Sequence, residues 1–296
     1  MRRLCALVVV LVIASQGAFA QVSALLEEAD ELYDTERYER AAEVLEQARS
    51  RASSGPQRAE VYWRLARVQL GVGDELRDEE GDESAAMEVY DGGMDYADQA
   101  IEADSSNNLG YYWKASNLGR WGETRGILSS LRQAGPMRDL LEQSIEREPR
   151  HAESYYVLGL LYARVPGGLV SFGNTDYAVS LGRKAVDLHL ADVRAGEEEL
   201  YQPIRFELAS HLIDRDWDRR KRDREQRSKR REHARADGIL EESFYYEGTI
   251  DIPSVDDEEE ARRILEEVIG ELEPEAEPGS RKGRDLERAR ELLESL

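Results

Sequence analysis

Tyr155, Leu158, Gly159 and Tyr162, followed by Ala178 and Ala185, set small and large residues at helical intervals of three, four and seven. Residues so spaced share one helix face. Small residues on such a face let a second helix press close, and large ones fill the gaps beside it. The pattern recurs. Counted from the first residue of each leading helix, Ala152 opens the best copy, and Val22 opens a second with Leu25, Ala29 and Leu32, then Ala41, Leu45 and Ala48. Starts at Ala59 and Asn108 give degenerate copies through Tyr62, Leu65 and Ala66, then Tyr111, Ala115 and Leu118, with Ala97, Ala100, Leu141 and Ser144 on their partner helices. A fifth leading helix at Gln202 supplies Leu208, Ala209 and Leu212, but the segment after it is too charged for an ordinary partner, so it counts as half a repeat.

Gly55-Pro56, the run 104–107 and Pro149 fall between successive units, where a stop is required. The arrangement resembles tetratricopeptide (TPR) repeats and predicts an all-α, TPR-like helical-repeat solenoid over residues 21–214. Long insertions are expected inside three repeats: 71–86, acidic and interrupted by glycine; 119–135, carrying Trp121, Leu128 and Leu131; and 165–174. Pro166-Gly167-Gly168 lacks the Gly-Lys-Ser/Thr that a phosphate cradle needs and reads as a turn, with Asn174 capping the next helix.

Arg2 and Arg3, an apolar run from Leu4 to Ala14 and Ala18-Phe19-Ala20 have the layout of a secretory signal peptide over residues 1–20, cleaved after Ala20. Export, most naturally to a bacterial periplasm, follows from that reading. The single cysteine, Cys5, lies in the leader, so disulfides cannot hold the mature chain. With 62 acidic against 40 basic residues the formal net charge is −22, which repels nucleic acid, and no later apolar stretch inserts in a membrane.

The stretch from Arg215 to Arg235 holds 11 basic residues. Its acid-first pairs four apart, Asp216/Arg220, Asp218/Arg222, Asp223/Arg227 and Glu225/Lys229, predict a solvent-exposed charged helix over 215–237. Residues 238–296 are expected to cap the repeats: a helix begun by Ser254 or Asp256 with a stripe of Ile264, Leu265, Val268, Ile269 and Leu272, a linker near 273–283, and a last helix with Leu286, Ala289, Leu293 and Leu296.

No catalytic residue stands out. His151, His189, His211 and His233 are scattered without a metal-ligand spacing, a Gly-x-Ser-x-Gly elbow is missing, and no metal or cofactor is implied. The fifth position of the leading helices, which lines the concave side of such arrays, holds Trp63, Tyr112, Tyr156 and Phe206, with Arg67, Arg120 and Arg164 at other groove positions. Aromatics with guanidinium groups suit a protein or peptide partner or a carboxylate-bearing solute. The competing reading is that these rings are core beneath the insertions.

The motifs Tyr111-Tyr112-Trp113-Lys114-Ala115, Leu118-Gly119, Tyr155-Tyr156-Val157-Leu158-Gly159, Pro166-Gly167-Gly168 and Ser171-Phe172-Gly173-Asn174 resemble extracytoplasmic bacterial TPR proteins. These include the T-component of TRAP-type solute transporters and, more distantly, the regulators of microtubule dynamics. The resemblance implies a non-enzymatic scaffold beside exported or membrane-bound partners, a transporter component among them. Gln21 stands where the tethered members carry a lipidated cysteine. The alternatives are an enzyme using paired carboxylates on cell-envelope glycans, and a purely architectural protein.

Overall fold

The computed structural model describes residues 20–168 and 171–296, so the leader expected at 1–20 lies, apart from Ala20, outside the described residues. The chain forms two compact units that divide between Arg147 and Glu148. Each is built of helices, and the leading and partner helices alternate as the spacing requires.

In the first unit, a helix over 20–34 (α1) is followed by α2 (Tyr38–Arg51), α3 (Gly55–Asp78), α4 (Glu83–Ala103), α5 (Asn108–Arg125) and α6 (Ile127–Arg147). Side-chain caps fix the starts. Ser54 and Gln57 form a reciprocal capping box with Pro56 in the first turn of α3, and Asp82 and Asn107 accept backbone N–H groups at the starts of α4 and α5. Ala29, Leu32, Ala41, Leu45, Ala48, Val61 and Leu65 make one buried cluster, in keeping with the register read from the sequence.

Two of the three expected insertions are lengthened helices. Residues 71–86 continue α3 to Asp78 and open α4 at Glu83, leaving a turn of four residues. Two of their glycines mark close packing: a Cβ on Gly71 would lie 2.7 Å from the Tyr38 ring, and one on Gly73 would fall inside contact distance of the Tyr90 ring. Residues 119–135 likewise belong to α5 and α6, separated only by Gly126 at φ +102°, a value that glycine adopts without a side-chain clash. In the third, the described residues 165–168 and 171–174 lie outside the helices, with a bridge between Gly167 and Gly173, and Asn174 caps the next helix through the N–H groups of Asp176 and Tyr177.

The second unit contains α7 (Ala152–Arg164), α8 (Thr175–Ala195), α9 (Pro203–Arg215), α10 (Arg219–His233), α11 (Ile239–Phe244), a 3-10 turn at Tyr246–Gly248, α12 (Asp257–Leu272) and α13 (Arg281–Glu294). Here the half repeat is completed. α9 packs on α12, so α12 is its partner helix, and α10, α11 and the 3-10 turn are inserted between them. Phe206, Leu212, Ala261, Leu265, Val268, Leu286 and Ala289 share the core of this end, and α13 packs on α12 and α9.

The expectation of a solvent-exposed helix over 215–237 is corrected. Arg222 and Lys229 on α10 are buried, as are Arg183 on α8 and Arg215 at the end of α9. These four cations meet Glu247, Asp257 and Glu260, all buried, and the half-buried Asp176. Burying a charge is costly unless an opposite charge answers it, so α10 is held against the unit by complementary ions rather than by apolar side chains. The pairs four residues apart suggested a solvated helix, but Arg222 and Lys229 turn inward while the arginines between them remain exposed.

Candidate functional site

The leading-helix side of the first unit brings α1 and α3 together at the ninth position of each repeat. Asp30 accepts from Arg64 Nη2 at 2.9 Å and is also paired with Arg67, while Glu60 takes Arg64 Nη1 at 2.7 Å. The Arg64 guanidinium lies 4.0 Å from the centroid of the Trp63 ring, and that of Arg67 lies 4.1 Å from Tyr33 and 5.3 Å from Trp63. Trp63 is therefore flanked by two cations whose charge is balanced by two carboxylates. A cleft of about 360 Å³ between the same helices is lined by Val22, Leu26, Pro56, Glu60 and Arg64 among others.

Two donors in this cluster are unanswered. The indole Nε1 of Trp63 and the Nε of Arg67 are both buried and lack a hydrogen-bond acceptor among the described residues. Buried donors are almost always satisfied, and leaving one unpaired costs about 1–3 kcal/mol; these two lie a helical turn apart beneath the surface of the cluster, Trp63 being 7% exposed.

The remaining residues expected in the groove are dispersed. Tyr112 is buried, edge-on to Trp113 at 4.9 Å, and Arg120 pairs with Asp74 and Glu123. In the second unit Tyr156 is half-buried against Tyr201, and Arg164 approaches Glu207 at 4.0 Å. Phe206 is core, 4% exposed in the cluster shared by α9, α12 and α13, and its assignment to a groove is corrected. The structure thus joins Trp63 and Arg67 and replaces the expected row of open arginines with paired ones. Asp30, Tyr33, Glu60 and Arg64 were missed. Asp30 and Arg67 both occupy the ninth position of their repeats, and aligning those positions would have paired them.

Histidines scattered in sequence also meet carboxylates. Glu153, His189 and Glu198 each place a potential ligand atom within 4.8 Å of the others. His189 Nδ1 is 2.9 Å from Glu198, and its Nε2 accepts the N–H of Tyr201 at 2.8 Å, which puts the ring proton on Nδ1. A cation at Nδ1 would force that proton onto Nε2, against the Tyr201 N–H. The arrangement is a clasp that ties the turn after α8 back onto the helix. Burial and the neighbouring Glu198 raise the pKa of Glu153, Glu198 is engaged with His189, and neither residue lines the cleft.

The family described as Regulator of microtubule dynamics protein 1-3 matches residues 25–165, which carry α2 to α7 and most of α1. Regulator of microtubule dynamics protein 1 of Pongo abelii is 30% identical over 143 residues, covering 48% of this chain and 43% of that protein. The Bos taurus protein is 30% identical over 151 residues, covering 51% of this chain and 45% of its own. The chain therefore spans less than half the length of these relatives. Among solved structures, a thermophilic TPR protein of Thermus thermophilus superposes with a TM-score of 0.50 at 17% identity, covering 77% of this chain and 98% of its own. That likeness establishes the all-α helical-repeat fold. The family match falls on the regulators of microtubule dynamics, which the sequence motifs placed second, and it includes Asp30, Trp63, Arg64 and Arg67.

Proposed function

We infer that this chain is a peptide-binding scaffold whose recognition site is the α1–α3 cluster of the first unit. The observation that carries the reading is the pair of buried, unanswered donors, Trp63 Nε1 and Arg67 Nε, beside an open cleft. An extended peptide presents a carbonyl oxygen at every residue and side chains to either side. Once the side chains over them shift, its backbone would supply acceptors to both donors while its apolar side chains enter the cleft beside Val22 and Leu26. Because Asp30 and Glu60 already neutralise Arg64 and Arg67, peptide carbonyls fit better than a bare carboxylate. The relatives' designation as regulators fits a role exerted through protein contacts. In the finer form of this reading, the chain is exported through residues 1–20 and serves beside a transporter or another envelope protein.

Panning a displayed peptide library on the full chain tests the reading. Enriched peptides should lose about tenfold or more in affinity for Trp63→Phe, which keeps an aromatic ring of smaller size and deletes the donor, with the helical content preserved. Undiminished binding to that variant, or no enrichment at all, overturns it.

A further inference from the structure

The exposed faces of α4 and α10 carry opposite charges at one spacing. α4 contains Glu83, Glu88, Asp91, Asp95, Asp98 and Glu102 and no basic residue. Asp91, Asp95, Asp98 and Glu102 follow steps of four, three and four, which places them along one face. Asp91, Asp95 and Glu102 are exposed and make no ion pair among the described residues, while the half-exposed Asp98 is shared with Lys114. On α10 the exposed Arg220, Arg224, Arg227 and Arg231 follow the same steps, with Arg235 just beyond the helix end. The inward side of α10 is consumed by the buried network through Arg222 and Lys229, so the outward arginines are additional to what the fold needs. Of these, Arg220 and Arg227 make no ion pair among the described residues, and Arg224 pairs only with its neighbour Glu225.

We propose that the arginine face of α10 docks on the acidic face of α4 in a second copy of this chain. The step pattern reads the same in both directions, so four cations oppose four carboxylates in either helix orientation over about 17 Å, the length of eleven helical rises. A free acidic partner would match the arginines in sign alone. The chain's own α4 matches them in sign, number and spacing. Because the two faces are different surfaces, the contact is head-to-tail, and each added copy leaves one face of each kind available for the next.

Charge also sets the conditions. A net charge of −22 makes copies repel at long range, and salt near 0.1 M, with a screening length of about 10 Å, suppresses that repulsion more than it suppresses pairs in contact. Salt near 1 M, with a screening length of about 3 Å, weakens the pairs as well. Association is therefore weak, dependent on concentration and strongest at intermediate salt.

Sedimentation velocity of the full chain, run from micromolar to near-millimolar concentration in 0.1 M and 1 M NaCl, reads this directly. The native chain should associate at 0.1 M and be monomeric at 1 M. Reversing α10 (Arg220→Glu, Arg224→Glu, Arg227→Glu) or α4 (Asp91→Arg, Asp95→Arg, Glu102→Arg) should each give monomers with unchanged circular dichroism. An equimolar mixture of the two variants should associate again, as should a chain carrying all six changes. A native chain that stays monomeric throughout, or reversals that leave association intact, overturn the proposal. So does a monomeric chain that binds vesicles of phosphatidylserine and phosphatidylcholine through the same arginines, since the face would then serve a lipid surface.

Discussion

Arg215 donates from Nε and Nη2 to the two carboxylate oxygens of Asp257, each at 2.8 Å, with both side chains essentially buried. Arg215 is the last residue of α9 and Asp257 the first of α12. One bidentate pair therefore joins the ends of a helix pair whose connection was expanded to hold α10 and α11. The backbone reinforces it, because Asp257 N–H donates to the Trp217 carbonyl at 3.0 Å and the Trp217 N–H returns to Asp257 Oδ2 at 3.0 Å.

Asp257→Asn should consequently destabilise the second unit by about 3–5 kcal/mol, because it leaves Arg215 and Arg222 buried with one fewer anion. Exchanging both partners, Arg215→Met with Asp257→Leu, should cost less than the sum of the two single changes, since Arg215 and Asp257 no longer strand each other, although Arg222 and Glu247 each lose one counter-ion. Chemical denaturation of these variants measures the difference.

Glycines that look alike in the sequence should respond differently. A Cβ on Gly73 meets the Tyr90 ring at 2.3 Å, and that ring is wholly buried with its hydroxyl bound to Asp74 at 2.7 Å, so it has little freedom to retreat. Gly73→Ala should lower stability by about 1–3 kcal/mol. At Gly159 the nearest atoms, Ala178 O and His211 Nε2, stand at 3.4 Å. Gly159→Ala should be nearly neutral in thermal melts, whereas Gly159→Leu, which must reach past those atoms, should cost about 1–3 kcal/mol.

The legible part of this fold is the part built by local periodicity. Ala29, Ala41, Leu65, Leu158 and Ala178 are buried where the repeat register puts them, because a helical face is a property of residues three and four apart. The pairing of α9 with α12 was hidden because 41 residues separate the two helices and only tertiary contacts connect them. The buried face of α10 was hidden for a related reason. Asp218/Arg222 and Glu225/Lys229 satisfy a local rule for solvated helices, and nothing local announces that Asp257, Glu260 and Glu247 will displace those neighbours. In the candidate site the sequence pointed to Trp63 and Arg67. It overestimated their openness, since Asp30 becomes a neighbour only once α1 and α3 stack, whereas the Glu60–Arg64 pair is local to α3.

The aromatic residues at the fifth position should divide by burial rather than by register. Phe206→Ala should cost about 3–5 kcal/mol, as expected for an aromatic ring removed from a packed core. Tyr156, half-buried beside Tyr201, should cost clearly less on the same change. Equal losses in urea denaturation would show that Tyr156 is core as well.

The last prediction concerns acid. His211 is 3% exposed over Gly159 and Gly182, its Nδ1 has no partner among the described residues, and burial first, then the charge of Arg164, lower its pKa to about 3. In the unfolded chain the same ring titrates near its ordinary value of roughly 6.5. Its contribution is thus fully present above that value and is lost as pH falls, because the unfolded state binds a proton that the folded state refuses. His151, lowered by burial to about 4, acts in the same direction. Asp285 opposes both, since burial raises its pKa to about 6 and the folded state takes up that proton first. Moving from pH 7.5 to 5.0 should cost the native chain about 2 kcal/mol through His211 alone, at roughly 1.4 kcal/mol per pH unit below 6.5. His211→Gln should flatten the profile by that amount, whereas Asp285→Asn should steepen it. Urea midpoints at the two pH values decide the matter, and an unchanged slope in His211→Gln would show that the ring is not held neutral.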